Sequence, residues 1–449
     1  MRKAYSFPRG GIFLEDDTVP TGSACAVAFL PALSLISLIQ HPGGGLSPLV
    51  SVGDSVREGM LVGRRAGSGS ANVHATVPGK VIRHADWQDG EGRHCEGLLV
   101  RMEGSFDRLG TTEEGYLHEL PLDLMGCGEL LEVIDDCGIV EMEGTGRPLA
   151  GMISAFSRAD GQRTLVVRCV FDDPWLVADR VLCVERLKAV VEGAFVVAGA
   201  CGGVGRVIFA VSRKDRKIGE DMLAEAAEYG IPASLILAKG KYPQRNHREM
   251  EIVLREHAKR AKSDLGTLLV LGPATLAAVR DAVKYRRPIL ERYVAVGGSA
   301  VKNPKVLRIR IGTRIRDLFE ECGGFVGDPY RIVVGSPFFG EKVRYLDEPI
   351  TKTSYALAAM LKPQVGSYPA RDCISCGECR RVCPVGLDPE EMYKMIKVLA
   401  AVRGLDEEQS PGHPGFRECH GCGCCEAVCP SRLPLPEVIR GKTPESIYV

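Results

Sequence analysis

Cys373-Ile-Ser-Cys376-Gly-Glu-Cys379-Arg-Arg-Val-Cys383-Pro384 lies near the end of this chain of 449 residues, and its spacing returns in Cys419-His-Gly-Cys422-Gly-Cys-Cys425-Glu-Ala-Val-Cys429-Pro430. Both runs follow C-x2-C-x2-C-x3-C-P, the spacing that holds cubane clusters in bacterial ferredoxins. Three thiolates on a tight loop cap three irons of one cube, and the fourth points away from it. The sequence therefore predicts two [4Fe–4S] clusters in a helical ferredoxin domain.

The fourth cysteine of each run ligates the other cluster in proteins that hold two clusters. Two interlocked ligand sets follow from this rule. Cluster one takes Cys373, Cys376, Cys379 and Cys429. Cluster two takes Cys383, Cys419, Cys422 and Cys425.

Zinc sites and disulfides are the alternatives to clusters. Zinc is usually held by two separated pairs of ligands in a tetrahedron, whereas each run here supplies four cysteines. Disulfides are rare in reducing compartments, and the N-terminus has no signal-peptide core, so a reducing cytoplasmic compartment is expected. Cys424 is left over and is interpreted as a small residue beside the loop.

A helix is predicted between the two runs. Asp388 is its N-cap, Pro389 is its first residue, and acidic residues fill its first turn. Apolar residues then recur at helical spacing and are expected to lie in the core; they are Met392, Met395, Ile396, Leu399 and Val402. Gly404 is the expected end of the helix.

Length and composition indicate a multidomain soluble α/β protein. A chain of this length predicts roughly three domains. The 57 basic and 57 acidic residues balance, which gives no reason to expect a nucleic-acid partner. The longest apolar run, 24–39, is shorter than the ~20 residues that span a bilayer, so no transmembrane helix is expected.

Residues 1–111 are predicted to be an N-terminal region with a barrel-sandwich hybrid at about 41–84. Short alternating strands there are separated by Gly-Asp and Pro-Gly turns, as in biotinyl and lipoyl carriers. Carriers present a lysine on a hairpin, and residues 57–79 contain none. The sandwich is therefore interpreted as structural.

Three further domains are predicted. Residues 112–270 contain three buried runs, at 163–169, 206–212 and 233–238, separated by helical patterns, which favours a parallel sheet. Gly202-Gly203-Val-Gly205 precedes a strand and is interpreted as a turn, since a phosphate loop would follow one. A β-grasp domain is expected at 271–345. The linker and the ferredoxin domain occupy 346–449.

The chain resembles the RnfC family of the Rnf ion-translocating electron transport complexes, a relative of the flavin subunit of complex I. The resemblance depends on the order of several short motifs together with the paired cysteine runs. These motifs are Phe7-Pro-Arg-Gly10-Gly11-Ile12, Gln40-His41, Lys241-Tyr242-Pro243-Gln244, Val301-Lys302-Asn303-Pro304, Arg310-Ile-Gly312-Thr313, Cys322-Gly323-Gly324-Phe325 and Pro349-Ile-Thr351-Lys352.

This resemblance implies an electron-transfer subunit bound to the cytoplasmic face of a bacterial plasma membrane. Its partners would be integral membrane and other redox subunits. Electrons would pass from NADH through FMN to the clusters. In the reverse direction, reduced ferredoxin would supply the electrons that reduce NAD. The β-grasp domain would be of the SLBB type.

The chain departs from the family where FMN should bind. The family's glycine-rich loop corresponds to Glu141-Met-Glu143-Gly144-Thr-Gly146-Arg147-Pro148-Leu149. The resemblance assigns FMN to Gly144, Gly146, Pro148 and to Asp173, the acid retained before Pro174. Glu141 and Glu143 replace glycines, and Arg147 replaces the phenylalanine on which nicotinamide would stack. Each carboxylate near a phosphate costs ~1 kcal/mol or more at an effective dielectric of about 20.

Three hypotheses remain open from the sequence. The chain is a full redox subunit that oxidises NADH through FMN, or a flavin-less electron relay and docking subunit of the same complex. The third hypothesis is a soluble flavin- or cobalamin-reducing relative.

Overall fold

A computed structural model describes residues 4–21, 24–40, 46–67, 69–90, 92–106, 125–338, 340–362, 370–403 and 417–440. In this part of the chain a two-sheet β-structure, an α/β unit, a mixed β-sheet and a small helical unit follow one another. The fold class predicted from the sequence is confirmed. None of the described helices is long and apolar enough to cross a membrane.

The N-terminal unit is a sandwich of two antiparallel sheets. A short strand, β1 (Ala26–Val27), precedes it in the chain and belongs to the mixed β-sheet. The strands of the sandwich are β2 (Leu33–Ser37), β3 (Leu46–Pro48), β4 (Ser55–Val56), β5 (Leu61–Arg65), β6 (Val73–His74), β7 (Gly79–Gln88) and β8 (His94–Met102). One sheet has the order β2-β8-β7-β4 and the other β3-β5-β6. Leu98 and Val100, alternate residues of β8, pack between the sheets against Ile36 and Val62. The sandwich extends beyond the predicted 41–84, because β2 pairs with β8 to complete the first sheet.

The α/β unit has a parallel four-stranded sheet at its centre. Its elements are α1 (Cys127–Asp136), α2 (Leu149–Ser157), β9 (Arg163–Cys169), α3 (Val177–Glu185), α4 (Leu187–Ala200), β10 (Arg206–Ser212), α5 (Arg216–Ala226), β11 (Ala233–Ala238), α6 (His247–Ala261), β12 (Thr267–Leu271) and α7 (Pro273–Tyr285). Helix α6 covers one face of the sheet through Met250 and Leu254, and the other helices cover the opposite face. The predicted parallel sheet is confirmed. The predicted turn is also confirmed, with Gly202 and Gly203 at φ +70° and +97° between α4 and β10.

The strand order β11-β10-β9-β12 contains a topological switch point. Strands β10 and β11 extend the sheet on one side of β9, and β12 lies on the other. In open parallel sheets the ligand crevice lies beyond the carboxyl ends of the strands at such a point. We call this place the switch-point crevice. Residues 170–173 after β9 and Gly272 before α7 line it.

The third unit is a six-stranded mixed sheet of order β1-β14-β13-β17-β15-β16. Its further elements are β13 (Glu291–Gly297), β14 (Lys305–Arg310), α8 (Ile315–Glu321), β15 (Arg331–Val334), β16 (Glu341–Lys342) and β17 (Ala356–Met360). Helix α8 packs Ile315, Leu318 and Phe319 into its core. The sheet takes β17 from beyond the predicted 271–345, while α7 packs on α4 in the α/β unit.

The cysteine runs lie in a small helical unit. Its helices are α9 (Glu378–Val382), α10 (Pro389–Arg403), α11 (Cys424–Ala427) and α12 (Leu435–Arg440). Helix α10 begins where the sequence predicts, and Asp388 Oδ1 accepts a hydrogen bond from the Glu391 amide at 3.2 Å.

The expectation that the apolar stripe of α10 lies wholly in the core is wrong. Met392 and Ile396 are buried, but Met395 is 42% and Val402 79% exposed. The described part of the unit covers only one narrow strip of the helix. The side chain of Leu399, together with Gly404, lies outside the described residues.

The N-terminal segment attaches the helical unit to the rest of the molecule. The Gly11 amide donates to the Val382 carbonyl at 2.8 Å. Gly10, at φ +60°, lies so close that a Cβ there would be 2.4 Å from the Cys383 carbonyl oxygen. The family's opening motif therefore packs directly on the first cysteine run.

Candidate metal centres and the switch-point crevice

Four thiols line one small pocket of the helical unit. They belong to Cys373, Cys376, Cys379 and Cys429, the predicted ligands of cluster one. Ser375 and Gly377, at φ +56° and +72°, turn the loop that carries the first three. Cys429 follows α11 in the second run, so cysteines from two separate runs meet here, as the interlocked scheme expects.

The walls of this pocket suit a buried cofactor. Leu433 and Leu435 line it and are 2% and 1% exposed. Cys379 lies inside the unit, whereas Cys376 and Ile374 are exposed at its surface. One edge of the pocket therefore lies at the surface of the unit, while the opposite wall is apolar and buried.

The second set of thiols is also brought together. Burial, reinforced by the nearby thiolates of Cys422, Cys419 and Cys383, raises the pKa of Cys425. Cys425 and these three cysteines are the predicted ligands of cluster two. The Gly421 amide donates to Cys419 Sγ at 3.4 Å, and the Leu387 amide donates to Cys383 Sγ at 3.3 Å. Amide donors of this kind stabilise thiolate sulfur.

Both sets fit an iron–sulfur cluster. Each set takes three cysteines from one run and one from the other, and residues at positive φ turn both loops. In the second set two backbone amides are also directed at sulfur. Cys424 is fully buried beside Tyr242 and Val382, in agreement with its interpretation as a small packing residue. The pKa of Cys422 is lowered, chiefly because Cys424 donates a hydrogen bond to its sulfur.

Contacts join the second cysteine set to the α/β unit. The Tyr242 hydroxyl donates to the Cys422 carbonyl at 2.7 Å. His420 Nδ1 lies 3.0 Å from Glu249 Oε1 on α6. Sequence reasoning identified Tyr242 only as part of a family motif and did not predict either contact.

The switch-point crevice is occupied by the chain's own charged groups. Asp172 Oδ2 accepts a hydrogen bond from the Arg245 amide at 2.9 Å, and burial raises the pKa of Asp172 to about 6. The Arg245 guanidinium donates to the Glu143 carbonyl at 3.1 Å and lies over the Tyr355 ring, 4.9 Å from its centroid. Arg245 directly follows the Lys241-Tyr-Pro-Gln motif, which was the one sequence signal for it.

Glu143 caps the N-terminus of α7. Its Oε1 accepts hydrogen bonds from the amides of Ala274 at 2.6 Å and Thr275 at 3.1 Å, and the Thr275 hydroxyl donates to Oε2. The first amides of a helix have no partner within it and form its positive end. The carboxyl group lies over Gly272, where an added Cβ would be 2.3 Å from Glu143 Cδ.

The charge of Glu143 is deeply buried. Burial is the main cause that raises its pKa, and nearby Asp179 adds to the rise. The guanidinium of Arg292 and the hydrogen bond from Thr275 act in the opposite direction. Sequence reasoning identified Glu143 as a departure from the family but did not predict its contact with α7.

The four residues assigned to FMN lie in two segments. Gly144 packs against the Glu141 carboxyl group so closely that a Cβ added to Gly144 would lie 2.4 Å from Glu141 Cδ. Gly146 turns the loop at φ +78°, and Pro148 is the N-cap of α2. Asp173 lies in the crevice, where its Oδ1 accepts the Trp175 amide at 3.0 Å. Arg147 extends from the loop, 3.7 Å from Glu141.

Four family models match the chain in the order of its units. They are the RnfC barrel sandwich hybrid domain at 6–105, the Nuo51 FMN-binding domain at 134–281, the SLBB domain at 293–347 and the 4Fe-4S dicluster domain at 369–433. The match to the FMN-binding domain includes the loop that contains Glu143 and the start of α7.

Three curated relatives, each one subunit of a translocating complex, are similar over most of the chain. The relative from the ion-translocating oxidoreductase complex of Rhodobacter capsulatus is 29% identical, with 86% of this chain and 74% of the relative covered. The relative from the proton-translocating ferredoxin:NAD(+) oxidoreductase complex of Clostridium ljungdahlii is 28% identical, with 85% and 82% covered. The relative from the Na(+)-translocating ferredoxin:NAD(+) oxidoreductase complex of Acetobacterium woodii is 26% identical, with 80% of each covered.

A crystal structure of an NAD+-reducing [NiFe]-hydrogenase is similar in fold. The TM-score is 0.50 at 16% sequence identity, with 70% of this chain and 61% of that chain covered. At this identity the likeness concerns the fold alone.

The crevice does not fit FMN. The donors at the start of α7 that could bind a phosphate are taken by Glu143. The carboxylates of Asp172 and Asp173 and the guanidinium of Arg245 lie in the adjoining space, where each is hydrogen-bonded to backbone. The two cysteine sets therefore fit iron–sulfur clusters, whereas the glycine-rich loop and the switch-point crevice do not fit FMN.

Proposed function

Because the chain belongs to the RnfC family of Rnf-type ion-translocating oxidoreductase complexes, we propose that it is a peripheral electron-transfer subunit of such a complex. The pocket lined by four cysteines from two separate runs carries this proposal. The protein binds the complex at the cytoplasmic face of a bacterial plasma membrane. Its partners are integral membrane subunits and other redox subunits.

Two bound [4Fe–4S] clusters would supply one-electron transfer at these sites. The eight cysteines would hold them as thiolates, and the amides of Gly421 and Leu387 donate to the sulfurs of Cys419 and Cys383. Leu433 and Leu435 keep water from one side of the first pocket. Cys376 and Ile374 lie at the surface, where a partner's redox centre can approach.

The flavin-less form of this function is favoured over oxidation of NADH by the chain itself. Glu143 at the start of α7 and the charged side chains in the crevice support this form. Electrons then enter from a reduced ferredoxin or from a separate flavoprotein. Tyr242 and the Gly11 amide hold the helical unit in place on the α/β unit.

The direct test follows the visible absorbance of the anaerobically purified protein. We expect a reduced low-potential two-cluster ferredoxin to bleach it, and NADH alone to leave it unchanged. Bleaching by NADH without added flavoprotein would rule out the flavin-less form. Protein that dithionite reduces and reduced ferredoxin does not would argue against the relay itself.

A further inference from the structure

The start of α7 carries three hydrogen-bond donors directed at one anion. They are the amides of Ala274 and Thr275 and the hydroxyl of Thr275. Gly272 leaves room for that anion to contact the backbone. A helix N-terminus beside a glycine, at the carboxyl edge of a parallel sheet, is the usual arrangement for binding a phosphate group.

A second observation also points to an anion at this place. The Arg292 guanidinium lies near Glu143, where it opposes the rise of that residue's pKa. The Arg292 side chain has no solvent exposure, and none of its nitrogens makes a hydrogen bond within the described residues. Its nearest carboxylate oxygen is Asp179 Oδ1, at 3.2 Å. A buried guanidinium whose hydrogen-bonding capacity is unused among the described residues therefore lies near the three donors, paired with Asp179, whose carboxylate raises the pKa of Glu143.

Glu143 uses all three donors. Its two oxygens take the positions that two phosphate oxygens would take, and its carbonyl accepts from Arg245 so that the loop is fixed. The Met142 amide is bound in turn to Thr275 Oγ1 at 2.9 Å. The loop thus cannot withdraw Glu143 without breaking several other contacts.

We propose that Glu143 is a built-in substitute for a phosphate group, which closes the site where a flavin phosphate would bind. The inference deepens the flavin-less form of the proposed function and names the residue responsible. It concerns ligand binding alone, so it is tested separately from the cysteine sites.

The test measures binding of FMN and of riboflavin, which lacks the phosphate, to the full chain by quenching of flavin fluorescence. The wild-type protein and Glu143→Gln, which keeps the shape of the side chain, should bind both flavins equally weakly. Glu143→Ala removes the carboxylate and should bind FMN at least ~10-fold more tightly than riboflavin. Iron content, measured on the same samples, reports the cysteine sites independently.

Two results would overturn the proposal. One is a wild-type protein that binds FMN in clear preference to riboflavin. The other is a Glu143→Ala protein that discriminates between the two flavins no better than wild type. Inorganic phosphate provides a second measurement: it should raise the melting temperature of Glu143→Ala more than that of Glu143→Gln. The wild-type titration is decisive even when Glu143→Ala does not fold.

Discussion

Lys352 is the residue at which three units of the molecule meet. Its Nζ donates to the carbonyls of Asn72 in the sandwich at 2.9 Å and Gly138 after α1 at 2.8 Å. Burial lowers its pKa from 10.5 to about 7. A neutral amine has two hydrogens, one for each carbonyl, so the contact persists without the charge.

Stability should therefore rise with pH in the range that Lys352 controls. Between about pH 7 and 10 the unfolded chain keeps the proton that the folded chain has lost, and stability rises wherever the unfolded state binds more protons. The melting temperature of wild type, relative to Lys352→Met, should increase from pH 7 to pH 9. At pH 9 the variant should also be less stable than wild type, since each unsatisfied buried carbonyl costs ~1–3 kcal/mol; at pH 7 the cost of deprotonating the lysine in wild type offsets this difference.

Lys217→Met is the control for that measurement. Lys217 lies on α5 with its side chain 82% exposed, so its replacement should leave the pH dependence as in wild type. A Lys352→Met protein with the same rise between pH 7 and 9 as wild type would show that another group is responsible.

Among the elements, α4 and α7 make the most extensive helix–helix contact in the α/β unit. Gly193 on α4 faces Leu276 on α7, and an added Cβ would lie 1.9 Å from the Leu276 carbonyl oxygen. That oxygen belongs to the helix backbone and cannot move aside alone. The start of α7, where Glu143 binds, is therefore held in position by this packing.

Gly193→Ala should separate the two helices and lower the free energy of unfolding by ~1–3 kcal/mol, the usual range for overpacking. Gly199→Ala on the same helix is the matched control. The nearest atom to its added Cβ is Leu130 Cδ1 at 3.4 Å, so the better helix propensity of alanine should make it neutral or stabilising by up to ~1 kcal/mol. Equal effects of the two changes in chemical denaturation would contradict this account.

Periodicity predicted elements better than it predicted burial. The start of α10 follows from Asp388 and Pro389, because capping and proline preferences act within one turn. The exposure of Met395 and Val402 depends on how much neighbouring structure exists to cover the helix. That quantity is not contained in the local sequence.

Across the whole molecule, the parts of the site differed in how far sequence could predict them. The ligand sets follow from spacing, because covalent geometry limits which thiols can reach one cube. The closed crevice depends on Glu143 meeting Thr275, which is 132 residues away. The packing of helices that are distant in sequence, α1 on α7 among them, brings these two residues together.

The interlocking of the two cysteine runs is the central claim, and it concerns the helical unit as a whole. In the proposed scheme Cys376 is a ligand of cluster one and Cys422 of cluster two, whichever fourth cysteine each cluster takes, whereas Cys429 changes cluster with the scheme. When any one of these three cysteines is replaced by alanine, the iron content should fall from about eight to about four irons per chain. Cys424→Ala, the control, should keep all eight.

The most direct measurement is the electron paramagnetic resonance spectrum of the reduced Cys429→Ala protein, compared with those of Cys376→Ala and Cys422→Ala. We expect it to match Cys376→Ala, because Cys429 lines the pocket of Cys373, Cys376 and Cys379. A spectrum that matches Cys422→Ala, or a wild-type protein that contains zinc and gives no signal on reduction, would contradict the account.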